Sequence, residues 1–190
     1  MTRPLRNTLG PALLLLVGLI AAVPARAQAP ADAQEKQVQW LDWNAGMELA
    51  QRSGRPVLVD VYTDWCGWCK RMDRDVYANP EVREYLSSRF VTIKLDAEAA
   101  DPARYQGKTY TSTTLADERF KINSYPTTIF LKSNGQHSTT VPGYVPAERF
   151  LMVLRYIGEG HLDRGVAWET FNRKQSNPRA PAPSNALRAR

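Results

Sequence analysis

The apolar run Val57-Leu58-Val59-Asp60-Val61-Tyr62 leads directly into Cys66-Gly67-Trp68-Cys69, which holds the only two cysteines of the 190-residue chain. A nearly continuous apolar run is the pattern of a central strand covered on both faces. Beyond it, Cys69, Met72, Asp73 and Val76 fall on one face of a helical pattern. The cysteine pair therefore sits between the end of a buried strand and the start of a helix. A cysteine at a helix start has unpaired backbone N–H groups and the positive end of the helix dipole to stabilise its thiolate. The thiolate is the attacking species in thiol–disulfide exchange, and a second thiol one turn on can resolve the mixed disulfide.

The N-terminus sets the expected redox compartment. Arg3 and Arg6 precede an apolar stretch from Leu9 to Val23, and Ala25-Arg26-Ala27 is a small-x-small cleavage site before Gln28. Residues 1–27 thus read as a secretory signal peptide; the apolar stretch is shorter than the ~20 residues of a comfortable membrane span. Localisation is expected to be periplasmic or secreted, with membrane contact only through the signal. An oxidising compartment favours disulfides, but a bridge between cysteines so close in sequence restrains the unfolded chain little. A staple is therefore the weaker explanation of the pair.

The net charge of +6 arises at the two ends. Residues 28–172 hold 17 basic and 19 acidic side chains. Such a near-neutral body argues against a nucleic-acid partner. Residues 173–190 are basic and rich in Pro, Ala, Ser and Asn, a composition expected to stay disordered. Residues 28–37 read as a flexible lead-in, 38–160 as one domain, and 161–172 as a short helical extension.

Within that domain, a short strand is expected at Val38–Trp43. A helix follows at Asn44–Arg52, with Asn44 as N-cap and Gly54 as stop. Asn79-Pro80 divides the segment after the cysteines into two helices, and Phe90–Leu95 is a second buried strand. The polar stretch 97–114 reads as an insertion, either a specificity wall near the site or only a surface loop, before a short helix at Leu115–Phe120. Thr127–Leu131 and Gln136–Val141 flank the turn pair Asn134-Gly135 and predict an antiparallel hairpin. Pro146–Ile157 is an amphipathic helix, and a last short helix covers Val166–Asn172. Strand, crossover helix and strand followed by a hairpin make an α/β fold: a central mixed sheet with helices on both faces.

The segment Val57 to Lys70 (VLVDVYTDWCGWCK) resembles the active-site segment of the thioredoxin family. The resemblance rests on Asp60 six residues before the first cysteine, Trp65 just before it, Gly67 after it and Lys70 after the second. Tyr125-Pro126-Thr127 resembles that family's cis-proline loop, and Gly143 the glycine of the following strand. The resemblance covers roughly 38–158. It is closer to exported members, including the periplasmic reductase domain of the transmembrane thiol reductant, than to the cytosolic protein. Two departures stand out. Trp68 occupies the place where thioredoxin has proline and strongly oxidising members have histidine, and extra residues separate the cysteines from Pro126. The family's lysine beside the buried acid maps ambiguously onto Lys94, which is left out of the expected site.

The resemblance implies a thiol:disulfide oxidoreductase acting on protein disulfides, with no cofactor beyond the cysteine pair. Cys66 would attack, its thiol lowered from roughly 8.5 by the helix start with help from Lys70 or Arg71. A more buried Cys69 would resolve, with Asp60, raised by burial at the strand end, taking its proton. Pro126, if cis, would turn the Tyr125 backbone toward the cysteines to dock an extended substrate chain. Trp65 and Trp68 flank the pair; one is expected in the core, and an exposed Trp68 would be a docking surface. A reductase outside the cytosol needs an electron donor, for which a membrane thiol reductant is the candidate. An oxidase or isomerase, and a binding module with an idle dithiol, are the alternatives. His137 and His161 could complete a metal site with the cysteines, but they fall in a distal hairpin and beyond the last core helix.

Overall fold

The computed structural model describes residues 37–176. The expected signal peptide at 1–27, the lead-in before residue 37 and the end of the basic tail lie outside the described residues. A five-stranded sheet contains β1 (Trp40–Leu41), β2 (Val57–Tyr62), β3 (Val91–Asp96), β6 (Thr127–Leu131) and β7 (His137–Pro142). Their order is β1-β3-β2-β6-β7. Strand β2 runs parallel to β3 and antiparallel to β6. It lies at the centre, which is why Val57 through Val61 are all buried.

Alternation along β2 divides the core. Val57, Val59 and Val61 face a cluster with Trp43, Met47 and Ala50 of α1 (Trp43–Ser53). Leu58 faces the opposite cluster. There it meets Met72 at the end of α2 (Gly67–Met72), Leu86 of α3 (Pro80–Arg89) and Phe150 and Leu154 of α5 (Ala147–Gly158). Asp60 shares the parity of Leu58 and so lies on the face covered by the helix that carries Cys69. A π-helical turn at Asp73–Tyr77 continues α2 and brings Val76 and Tyr77 onto the same buried face. Asn79 caps α3 through Glu81 and Val82 N–H groups, with Pro80 in its first turn, as the sequence predicts.

Three local expectations are corrected. The N-cap of α1 is Asp42, whose carboxylate accepts the Ala45 N–H at 2.9 Å. Asn44 lies inside the helix, and its amide clasps the insertion instead: Nδ2 donates to the Pro102 carbonyl at 2.6 Å and Oδ1 accepts the Arg104 N–H at 2.9 Å. The 97–114 stretch is not only a surface loop. It forms a hairpin of β4 (Pro102–Tyr105) and β5 (Lys108–Thr111), then α4, a single turn at Ser112–Thr114. Ala103 and Tyr105 are buried, Trp43 Nε1 donates to the Arg104 carbonyl, and Tyr105 Oη donates to the Gly135 carbonyl. Two buried side chains, both on β4, are too short a pattern to stand out against a polar background. The last helix, α6, spans Trp168–Ser176 and passes the expected end at 172.

Gly46 marks where α1 meets the sheet. A Cβ there would lie 2.3 Å from Ile93 Cγ1 and 2.6 Å from its Cδ1. Ile93 is fully buried, so it has no room to retreat. Gly46→Ala is expected to destabilise the fold by about 1–3 kcal/mol through overpacking, outweighing the ~1 kcal/mol that alanine gains in helix propensity. A lowered urea midpoint checks this.

Candidate active site

The turn after β2 is closed by the Cys66 N–H donating to the Thr63 carbonyl at 3.1 Å. Cys66 is the N-cap of α2, and its Sγ accepts the Cys69 N–H at 3.0 Å. The two cysteines are joined, with Sγ–Sγ 2.08 Å. Their exposures, 4% for Cys66 and 3% for Cys69, do not separate an accessible thiol from a protected one. What distinguishes them in this oxidised state is the backbone N–H aimed at the Cys66 sulfur.

Asp60 lies inside β2 rather than at its end, and it is 1% exposed. In the parallel register it stands opposite Lys94 of β3. Lys94 Nζ is 2.7 Å from Asp60 Oδ2 and 2.6 Å from Asp73 Oδ1, while Tyr77 Oη donates to Asp60 Oδ1 at 3.1 Å. Rings of Trp40, Tyr62 and Tyr77 surround the ammonium at 5.0, 4.9 and 5.6 Å. Burial pushes the Asp60 carboxyl above its ordinary range; Lys94 pulls it back only in part, and Asp73 adds to the rise. Burial alone would lower Lys94, but the two carboxylates outweigh it and hold the ammonium above its usual value. Burial and the negative charge of Asp60 place the Tyr77 phenol well above its usual value. Lys94, an ambiguous match in the sequence and left out of the expected site, stands beside Asp60, and Tyr77 was missed from sequence. The detectable signal for Lys94 was register: pairing Val57 with Val91 puts it beside Asp60.

The remaining expected residues gather at the same end of the sheet. Tyr125-Pro126 is a cis bond, Pro126 is buried, and its carbonyl accepts the Gly143 N–H at 2.8 Å. Gly143 adopts φ 80°, which accounts for glycine there. The Tyr125 ring meets the edge of Trp65 at 6.0 Å. Trp65 also donates Nε1–H to Glu98 Oε1 at 2.8 Å, so the beginning of the insertion reaches the site. The expectation that one flanking tryptophan is core is corrected: Trp65 is 67% and Trp68 55% exposed. Trp68 rests beside Tyr144 at 5.5 Å. His137 pairs with Thr140, whereas His161 lies among Tyr156, Phe171 and Glu159. Neither joins the cysteines. Among the described residues, no group of three or more His, Cys, Asp or Glu side chains could hold a metal ion.

The family model for the thioredoxin-like domain matches residues 43–158, more than half of the chain. The chain belongs to the thioredoxin-like family. This thioredoxin-like chain is 33% identical over 131 residues to thioredoxin Y, chloroplastic, of Oryza sativa subsp. japonica, with 69% of the chain and 66% of that protein covered. It is 32% identical over 110 residues to the thiol:disulfide interchange protein DsbD of Yersinia pestis, covering 56% of the chain and only 17% of that protein. A thioredoxin-fold protein from Helicobacter pylori superposes with a TM-score of 0.59 at 20% identity, over 76% of this chain and 91% of that one; this likeness concerns the fold. The chain spans about two thirds of thioredoxin Y and under a fifth of DsbD, and it carries a paired CxxC, the group on which thiol–disulfide exchange runs.

Proposed function

We propose that this thioredoxin-like protein is exported and reduces disulfide bonds in polypeptides through Cys66 and Cys69. The observation that carries the proposal is the Cys66 sulfur at the α2 N-cap, accepting the Cys69 N–H, on the sheet face where Asp60 is buried. In the reduced protein, the Cys66 thiolate attacks one sulfur of the substrate disulfide. A Cys66–substrate bond forms, the substrate S–S bond breaks, and the leaving thiolate takes a proton. Cys69 then loses its proton to Asp60, directly or through water, and attacks Cys66 Sγ. The Cys66–Cys69 bond forms, the second substrate thiolate leaves and is protonated, and two electrons have passed to the substrate. Tyr125 and Pro126 form the substrate-facing edge beside this pair, and Trp68 the exposed aromatic surface.

The sequence of residues 1–27 supports export; no helix among the described residues is long and apolar enough to cross a membrane. Sequencing the N-terminus of the mature protein is expected to read from Gln28. Outside the cytosol, re-reduction of the pair requires a dithiol donor, and a membrane thiol reductant is the class that fits. Trp68, in place of the histidine of strongly oxidising relatives, leaves the thiolate without an added cation and favours the reducing direction. The reduction potential of the pair tests the direction. A value below about −200 mV supports a reductase, whereas one near −120 mV marks an oxidant and overturns the proposal. Failure of the protein to reduce insulin with dithiothreitol would leave only a binding module.

A further inference from the structure

Arg71, one turn beyond Trp68, is exposed and close to the cysteines in sequence, yet its guanidinium is committed elsewhere. Its Cζ lies 5.2 Å from the Trp68 ring centroid and 5.5 Å from that of Tyr144. The two rings are themselves in tilted contact at 5.5 Å. Arg71 Nε–H donates to Asp75 Oδ2 at 3.0 Å, and Arg74 pairs with the other oxygen of the same carboxylate at 2.9 Å. One planar cation is therefore held from behind by a carboxylate and covers two aromatic rings in front. An indole 55% exposed, beside the attacking sulfur, would otherwise sample several rotamers. A shallow, open depression of about 200 Å³ is lined by Gly67, Trp68 and Arg71.

We infer that Arg71 is a positioning residue that fixes Trp68 against Tyr144 as one wall of the dithiol face, and that this wall selects polypeptide disulfides over small ones. The inference rests on the proposed disulfide reduction and names what that site prefers. A polypeptide whose cysteine reaches Cys66 must lay its neighbouring side chains across Trp68. Apolar or aromatic neighbours gain contact with a wall already held in place, so less rotamer freedom is lost on binding. A small disulfide such as oxidised glutathione presents its sulfurs to Cys66 with little chain to lie across that wall. The arrangement also revises the expected role of Arg71 as a cation for the Cys66 thiolate.

The test compares insulin with oxidised glutathione as substrates of the wild-type, Arg71→Ala, Arg71→Lys, Trp68→Ala and double Arg71→Ala/Trp68→Ala proteins. Arg71→Ala is expected to raise KM for insulin about 3- to 10-fold, the scale of two partly exposed cation–π contacts, with kcat within about twofold. Its kcat/KM for oxidised glutathione is expected to match wild type. Arg71→Lys restores part of the loss, because it returns the charge without the planar stack. The double variant is expected to be no worse than Trp68→Ala, since Arg71 acts through that ring. In NMR spectra the Trp68 indole should be ordered in the wild type and mobile in Arg71→Ala. Equal losses on both substrates, additive losses in the double variant, or an unchanged insulin KM would each overturn the inference while leaving disulfide reduction intact. A wild-type protein that reduces neither substrate would overturn both.

Discussion

Cys66→Ser is expected to abolish disulfide reduction, a loss of at least about 10³-fold in kcat/KM for insulin, because no other nucleophile stands at the α2 N-cap. Serine keeps the cap, since its hydroxyl oxygen can still accept the Cys69 N–H, so the fold should persist without the covalent step. Cys69→Ser should fail differently. The first attack remains possible, the resolving attack does not, and substrate stays joined to Cys66. Non-reducing electrophoresis of the Cys69→Ser protein mixed with oxidised substrate should show a higher band that reducing agent removes. The exposures of the two cysteines, 4% and 3%, do not separate these roles; the proposed assignment rests on the hydrogen bond to Cys66. If Cys66→Ser forms the adduct and Cys69→Ser does not, the roles are exchanged.

Lys94→Met should destabilise the protein by about 3 kcal/mol at pH 8, because it strips the buried Asp60 of its cationic partner. The cost should vary with pH in a defined sense. The folded-state pKa of Asp60 is raised, so its proton favours the folded state at acid pH, and that contribution is lost as pH rises from the unfolded value through the folded one. Lys94 is also raised, so its contribution is present below its unfolded value and is lost only as pH rises through its folded one. Removing Lys94 lifts Asp60 further, so the penalty should be small near pH 4 and full at pH 8. Asp60→Asn provides the contrast. It removes the buried charge and leaves Lys94 paired with Asp73 at 2.6 Å, so stability at pH 8 should be unchanged or higher by about 1 kcal/mol. Its resolving step should nevertheless slow by about 10²-fold. Urea midpoints of the three proteins at both pH values read the stability, and the decay of the mixed disulfide reads the chemistry. An equal Lys94→Met penalty at pH 4 and pH 8 would contradict the proposed coupling.

The elements that were legible are those whose causes are local. Asn79-Pro80 divides the helices because proline tolerates only a first turn. Asn134-Gly135 joins β6 to β7 because Gly135, at φ 84°, adopts a conformation that glycine accepts freely. Asp60 stood out as the one carboxylate in an apolar run. The misreadings are equally specific. Asp42 and Asn44 are both good caps, and only the approach of the Pro102–Tyr105 strand explains why Asn44 lies inside the helix. Ala103 and Tyr105 are buried by α1 and by the Gly135 carbonyl, none of which is near them in sequence.

By itself the sequence determined a central strand that delivers two cysteines to a helix start, a carboxylate within that strand, and a proline loop that resembles the family's. These follow from side-chain period, backbone preference and caps, which act over a few residues. The tertiary structure alone decided which groups surround them. Parallel register put Lys94 beside Asp60, a π-helical turn brought Tyr77 to the same carboxylate, the insertion reached Trp65 through Glu98, and Arg71 found Trp68 and Tyr144 together. Charge and ring contacts depend on distances of a few ångströms between segments far apart in the chain, and the packing of strands and helices sets those distances.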